Sequence, residues 1–251
     1  PGASFKRRRL SGGADPRVKT IGLLGGMSWE STLEYYRLLN RLVRERLGAL
    51  HSARCIIYSV DFQPIAEHQE ANRWEPIRAA LVEHAQALEK CGAEVLLLCA
   101  NTMHKLADHI QARVGIPLLH IAEETAKEIA RSGFKTAGLL GTRYTMEEGF
   151  FKERLSRHGI EMLIPEKTQR DEVHRIIFAE LVQGVIDGES AERCRRIIAR
   201  LVERGAEGIV LGCTELPMLI KAQDSPVPLF DTLEIHCRAA TAYACAAGGA
   251  P

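Results

Sequence analysis

The sequence predicts an α/β protein of two similar lobes, each a parallel sheet flanked by helices, with a site in the cleft between them. Three observations predict it. Apolar runs of four to seven residues alternate with longer amphipathic stretches, the pattern of strands joined by helical crossovers. Segments of the first half recur, in order, in the second half. The glycine-, threonine- and cysteine-bearing segments follow directly on the strand ends, where open parallel sheets bind ligands.

The repeat has three parts. Lys19-Thr20-Ile21-Gly22-Leu23-Leu24-Gly25-Gly26 matches Lys135-Thr136-Ala137-Gly138-Leu139-Leu140-Gly141-Thr142 at an offset of 116, with six of eight residues identical. Gly92-Ala93-Glu94-Val95-Leu96-Leu97-Leu98 matches Gly205-Ala206-Glu207-Gly208-Ile209-Val210-Leu211 at an offset of 113. Pro117-Leu118-Leu119 matches Pro228-Leu229-Phe230 at an offset of 111. A repeat of this length is a pair of lobes rather than a solenoid. The first lobe is expected at 19–124 plus 219–251, and the second at 125–218.

The elements follow in chain order. Strands are expected at Thr20–Leu24, Arg54–Val60, Val95–Cys99 and Leu118–Ile121, then at Thr136–Leu140, Met162–Ile164, Gly208–Leu211 and Leu229–Phe230. Helical spacing marks Ser31–Leu47, with Leu33, Tyr36, Leu39, Leu42 and Val43 as its apolar positions, and also Glu75–Lys90 and Ala191–Arg204. The segment 1–18 differs in kind: it is rich in Gly, Pro, Ser and Arg, contains Lys6-Arg7-Arg8-Arg9, and reads as a disordered basic tail with no apolar stretch of a secretory signal.

Composition narrows the function. The 251 residues are 46% hydrophobic and 26% charged, with 33 basic and 32 acidic side chains, an ordinary globular balance. No basic excess points to nucleic acid, and no apolar run reaches the roughly 18–20 residues that span a bilayer. Seven cysteines, an odd number without a CxxC spacing, argue against a disulfide framework or a zinc knuckle and for reduced thiols in a cytoplasmic protein.

Four strand ends carry the chemistry. After the first comes Gly25-Gly26-Met27-Ser28-Trp29-Glu30-Ser31-Thr32, whose glycines permit a tight turn and whose following helix offers N–H groups to an anion. Its repeat partner is Gly141-Thr142-Arg143-Tyr144-Thr145. Neither is a dinucleotide fingerprint or a phosphate loop. After the later strands come Cys99-Ala100-Asn101-Thr102-Met103-His104 and Gly212-Cys213-Thr214-Glu215. The offset of 113 sets Ala100 opposite Cys213, so the two should approach a ligand from opposite sides. A helix N-terminus after Cys213 would favour its thiolate, with Thr214 and Glu215 placed to polarise or orient it. His104, His120 and His236 read as structural histidines, Asp231 as a helix cap, and Trp29 and Trp74 as core or cleft wall.

These motifs resemble the cofactor-independent aspartate/glutamate racemase superfamily, from about Lys19 to the C-terminus, and most closely the subgroup that opens with the residues of Gly25–Thr32. The resemblance implies an active site between the lobes, no metal and no pyridoxal cofactor, a small amino-acid or carboxylate substrate, and often a homodimer. It implies two groups flanking the substrate α-carbon, one removing its proton and the other delivering a proton to the opposite face. By motif position Cys213 is the second-lobe acid/base. Asn101, Thr102, Thr142 and Thr145 contact the substrate carboxylate, Thr214 adjoins them, Met27 borders the substrate, and Gln69 is a substrate-facing polar residue.

The chain departs from that pattern at two places. The first-lobe catalytic position, Cys or Thr in relatives, is Ala100, and a methyl group transfers no proton. Cys99 is adjacent, but neighbouring strand residues face opposite ways. No Lys stands between Asp171 and Gly184, where many aspartate-specific relatives anchor the distal carboxylate; His174 and Arg175 are the nearest cations. Four accounts stay open. The chain is a slow or one-sided racemase using Cys213 with water or Thr102 opposite, or Ala100 is an engineered replacement. Otherwise the chain is a one-cysteine decarboxylase or cis–trans isomerase of a small carboxylate, or a non-catalytic amino-acid binder on the same scaffold.

Overall fold

The computed structural model describes residues 18–246; the expected basic tail falls outside them except for Val18. In chain order the elements are β1 (Ile21–Gly25), α1 (Trp29–Leu47), β2 (Cys55–Ser59), α2 (Phe62–Glu70), α3 (Trp74–Lys90), β3 (Val95–Leu98), α4 (Ala107–Gln111), α5 (Ile121–Arg131), β4 (Thr136–Gly141), α6 (Arg143–Glu147) and α7 (Gly149–Ser156). They continue with β5 (Glu161–Leu163), α8 (Lys167–Ala179), α9 (Gly188–Glu203), β6 (Gly208–Gly212), α10 (Leu216–Leu219), β7 (Leu229–Asp231) and α11 (Thr232–Ala244). A 3-10 turn at Thr102–Leu106 leads into α4.

The strands form two parallel sheets, in the orders β2-β1-β3 and β5-β4-β6-β7. The central strands β1, β3, β4 and β6 are almost wholly buried, as strands covered by helices on both faces must be. Their apolar runs are therefore continuous rather than alternating.

The internal repeat is visible in backbone bonds. Thr20 N–H donates to Glu94 Oε2 at 2.8 Å, and Thr136 N–H to Glu207 Oε2 at 2.9 Å. Leu96 N–H donates to Pro117 O and Ile209 N–H to Pro228 O, both at 2.9 Å. His120 caps α5 as Asp231 caps α11. Leu118–Ile121, expected as a strand, reduces to one parallel bridge between Leu96 and Leu118, because Ile121 already opens α5. Its counterpart, β7, forms a short strand. The C-terminal segment serves both lobes: β7 is an edge of the second sheet, whereas α11 packs on α1 and α5.

Strand alternation decides which way adjacent residues point. Val95, Leu97 and Cys99 pack with α1 and α11 on one face of the first sheet. Leu96, Leu98 and Ala100 pack with α3 on the other. On α1 the buried stripe is Tyr35, Leu38, Leu39, Leu42 and Val43. Leu33 and Tyr36, expected on that stripe, lie with Trp29 on the solvent side of the helix, at i, i+4 and i+7.

Candidate active site

The C-terminal ends of β1, β3, β4 and β6 converge on one cavity between the lobes. From the first lobe it is lined by Met27, Phe62, Gln69, Ala100, Asn101, Thr102 and Met103. From the second it is lined by Thr142, Ile177, Phe178, Val182, Gly212, Cys213, Thr214 and Glu215. The space open to the centre of a water molecule is only about 30 Å³, so the lobes are closed around it.

Local sequence explains how the backbone reaches this point. Gly26 has φ +90°, and a Cβ there would collide with the Val60 backbone, so the turn after β1 needs glycine. Thr32 Oγ1 accepts from Gly26 N–H at 2.8 Å and donates to Ser28 O at 3.0 Å, and Ser28 caps α1 by accepting from Ser31 N–H. In the second lobe a Cβ on Gly141 would come within 2.9 Å of Gly212 O, so β4 and β6 leave the sheet in close contact.

A buried carboxylate organises the cysteine. Glu215 is 3% exposed. Its Oε2 accepts from Cys213 Sγ at 2.9 Å and from Thr214 Oγ1 at 3.0 Å. Its Oε1 accepts from Ser28 Oγ at 2.7 Å and from Ser31 Oγ at 2.8 Å, both on the first lobe. Ser31 and Thr214 hydroxyls are also within hydrogen-bond distance of each other. Burial first, and then the Glu215 charge and hydrogen bond, push the Cys213 thiol well above its ordinary range. Burial and the adjoining carboxylate thus oppose the thiolate expected from the strand-end position. The helix after Cys213 is a single turn beginning only at Leu216; the backbone N–H groups of Thr214 and Glu215 favour a thiolate, but burial and the Glu215 carboxylate oppose it more strongly.

The cavity gathers Met27, Gln69, Ala100, Asn101, Thr102, Thr142, Cys213 and Thr214. Thr145 is not in the wall; it lies behind it, 3.1 Å from Thr142 Oγ1, while Thr102 and Thr142 hydroxyls meet at 3.0 Å. Gln69 Oε1 and Asn101 Oδ1 are buried without a hydrogen-bond partner. The Asn101 amide is held from its other end, donating to Thr232 Oγ1 at 3.0 Å, which in turn donates to Leu211 O at 2.8 Å. Two free acceptors in a polar cavity wall suit a ligand that brings donors.

Several expected features fall elsewhere. Cys99 is fully buried on the α1/α11 face, with its thiol raised by burial. His174 accepts from Arg143 N–H, and Arg175 pairs with Glu172 and Glu180; neither lines the cavity. Trp29 is 63% exposed. Trp74 stacks under Lys105 and edge-on to Tyr144. His104, His120 and His236 form a buried cluster behind the first-lobe loop. His104 Nδ1–H donates to Ala100 O at 2.9 Å, and His236 lies between Tyr35 Oη and Leu119 O, each at 2.8 Å. Burial lowers the three to about 4, 2 and 3 respectively.

Ser28, Ser31, Phe62, Ile177, Phe178 and Val182 were not singled out from sequence. The serines sit inside the conspicuous loop after β1. The apolar residues carry no signal that separates a cavity wall from a core.

Fold and cavity together define a two-lobed α/β protein with a thiol–carboxylate pair in its interlobe cleft. The chain belongs to the Asp/Glu/hydantoin racemase family, whose family model matches residues 24–240. It is 26% identical over 215 residues to a broad-specificity amino-acid racemase of Bacillus subtilis, spanning 84% of this chain and 92% of that one. Among solved structures, a candidate Asp/Glu racemase of Yersinia pestis is 50% identical with a TM-score of 0.85, covering 91% of this chain and all of that one. An aspartate racemase homologue of Pyrococcus horikoshii is 37% identical with a TM-score of 0.79, at coverages of 91% and 100%. Glutamate racemase of Francisella tularensis bound to D-glutamate shares the fold at 16% identity and a TM-score of 0.67.

Proposed function

We propose that this chain is an amino-acid isomerase of the aspartate/glutamate type, working without a cofactor, in which Cys213 alone moves the proton at the substrate α-carbon. The observation that carries the reading is the chemistry of the cavity wall. Of the residues that line it, only Cys213 and Glu215 carry ionisable side chains, and both stand on the second-lobe side. The first-lobe position equivalent to Cys213 is Ala100.

The substrate carboxylate would take hydrogen bonds from the hydroxyls of Thr102, Thr142 and Thr214, and Gln69 and Asn101 oxygens would accept from its ammonium group. The α-proton is only weakly acidic, so these donors must stabilise the charge that develops on the carboxylate as the proton leaves. The step balances within the pair. The Cys213 proton passes to Glu215, the thiolate takes the α-proton as its lone pair forms the S–H bond, and the C–H electrons flow toward the carboxylate. Return of a proton from the same sulfur restores the starting enantiomer. Inversion needs a proton from the opposite face, where water or Thr102 is the available source. Admission of an amino acid requires the lobes to part, since the closed cavity holds about 30 Å³. The homodimer expected from the resemblance belongs to this reading, and the uncovered Trp29, Leu33 and Tyr36 surface of α1 is what it would bury.

A second reading, one-thiol protonation after decarboxylation of a small diacid, is favoured by the resting thiol being a proton donor. The test is α-proton exchange in D2O with L- and D-aspartate and glutamate, followed by NMR. Exchange that disappears in Cys213→Ala supports the isomerase. No exchange with any of the four, together with carbon dioxide release from a substituted malonate, would replace it with the decarboxylase.

A further inference from the structure

We infer that Ser28 and Ser31 are positioning residues for Cys213: reaching across from the first lobe to Glu215, they hold the negative charge of the thiol–carboxylate pair on the carboxylate and the proton on the sulfur. The inference rests on the reading of Cys213 as the proton-transfer group, and extends it to residues that touch neither the cysteine nor the cavity.

The geometry assigns each oxygen of Glu215 two donors. Oε2 takes the thiol and the Thr214 hydroxyl from its own lobe. Oε1 takes Ser28 and Ser31, 187 and 184 residues away in sequence. No cation among the described residues pairs with this carboxylate, so hydroxyl and thiol donors alone compensate its burial. A neutral carboxyl would bring one more proton to a site already full of donors. The pair carries one proton and one negative charge, and two placements compete: thiol with carboxylate, or thiolate with carboxylic acid. The serine hydrogen bonds favour the first, because hydrogen bonds to a charged acceptor are stronger than those to a neutral one.

The serines also tie this placement to closure. Ser28 ends the turn after β1 and Ser31 lies in the first turn of α1, both on the first lobe, whereas Cys213 and Glu215 follow β6 on the second. Parting of the lobes removes both Oε1 donors together, and thiolate becomes more accessible to the pair. Closure over a substrate restores them, so the thiolate that removes the α-proton forms only as the Cys213 proton moves to Glu215, and the serines favour that proton's return to sulfur once carbon is reprotonated.

The test reads the thiol directly and needs no substrate. Iodoacetamide labelling of Cys213 at pH 7, quantified on its proteolytic peptide, is compared in four proteins: the native chain, the double variant Ser28→Ala/Ser31→Ala, Glu215→Gln, and the triple variant. The double variant should label about tenfold faster or more, the effect of losing two charge-assisted bonds. The same two substitutions should change the rate less than about twofold in the Glu215→Gln background, where no carboxylate charge remains to hold. Ser31→Thr, which keeps the hydroxyl, should label like the native chain. Equal acceleration in both backgrounds would mean that the serines only shut the cavity, and no acceleration in the native background would mean that they do not place the proton; either overturns the inference. If the double variant fails to fold, the single variants Ser28→Ala and Ser31→Ala carry the same comparison. Failure of the isomerase reading shows up separately, as an absence of Cys213-dependent α-proton exchange in the native chain.

Discussion

Ala100 and Cys213 stand at equivalent strand ends of the two lobes and line the same cavity, each 6% exposed. One offers a thiol hydrogen-bonded to a carboxylate; the other offers a methyl group whose backbone carbonyl is held by His104. The twofold of the scaffold is thus kept in backbone and broken in chemistry. Under the proposed isomerase reading, inversion would therefore rely on water or Thr102 at the first-lobe face.

Gln69 is predicted to trade stability for binding. Its Oε1 is buried without a partner at the cavity wall. Gln69→Leu keeps the volume and removes the unsatisfied oxygen, so the thermal midpoint should hold or rise while KM increases about tenfold, the loss of one ligand hydrogen bond of about 1.4 kcal/mol. Thermal melts and steady-state kinetics on the same preparation check it. A lower midpoint with unchanged KM would show that Gln69 is a packing residue.

Acid should unfold the protein early. His104, His120 and His236 are held neutral in the fold, at about 4, 2 and 3, against an ordinary value of 6.5. Below about pH 6.5 the unfolded chain binds protons that the folded chain does not, so stability falls as pH falls, by up to about 1.4 kcal/mol per histidine per pH unit, until the folded values are reached. Asp231 acts the other way: burial raises it to about 6, so between roughly pH 4 and 6 the folded state holds its proton and one of the three histidine contributions is offset. Denaturant midpoints measured from pH 7 to pH 4.5 should decline; a flat profile would show that the histidines protonate within the fold.

Glycine at the first strand end is predicted to be needed for space as well as for conformation. Gly92 and Gly26 both have positive φ, +95° and +90°, but a Cβ on Gly92 meets nothing within 4 Å and one on Gly26 meets the Val60 backbone. Gly92→Ala should cost about 1 kcal/mol for conformation alone, and Gly26→Ala at least about 2 kcal/mol. Equal losses in urea melts would mean that β2 yields to the added methyl group.

Much of this was legible in the sequence, for a physical reason. The repeat survives because Glu94 and Glu207 each tie the start of a central strand, and Pro117 and Pro228 each begin the neighbouring segment, so the same residue types recur at the same structural duties. Strand alternation alone separated Cys99 from Ala100. What stayed hidden depends on contacts between distant segments. The Ser28–Glu215 bond spans 187 residues, and nothing in the sequence marks Ile177, Phe178 and Val182 as cavity wall before the lobes are brought face to face. At Cys213 the backbone N–H groups that a strand-end cysteine promises are present, but burial and the neighbouring Glu215 carboxylate, which the sequence does not weigh against them, push the thiol up.

Confinement of proton transfer to the Cys213 face is read most directly from the ratio of α-deuterium exchange to racemisation for each enantiomer of aspartate and glutamate, in the native chain and in Ala100→Cys. A positioned acid or base contributes about 10²- to 10⁴-fold. The native chain should therefore exchange one enantiomer at least about 10²-fold faster than it converts it to the other, and Ala100→Cys should bring the two rates together. Racemisation in the native chain as fast as exchange, or exchange that persists in Cys213→Ala, would contradict the account.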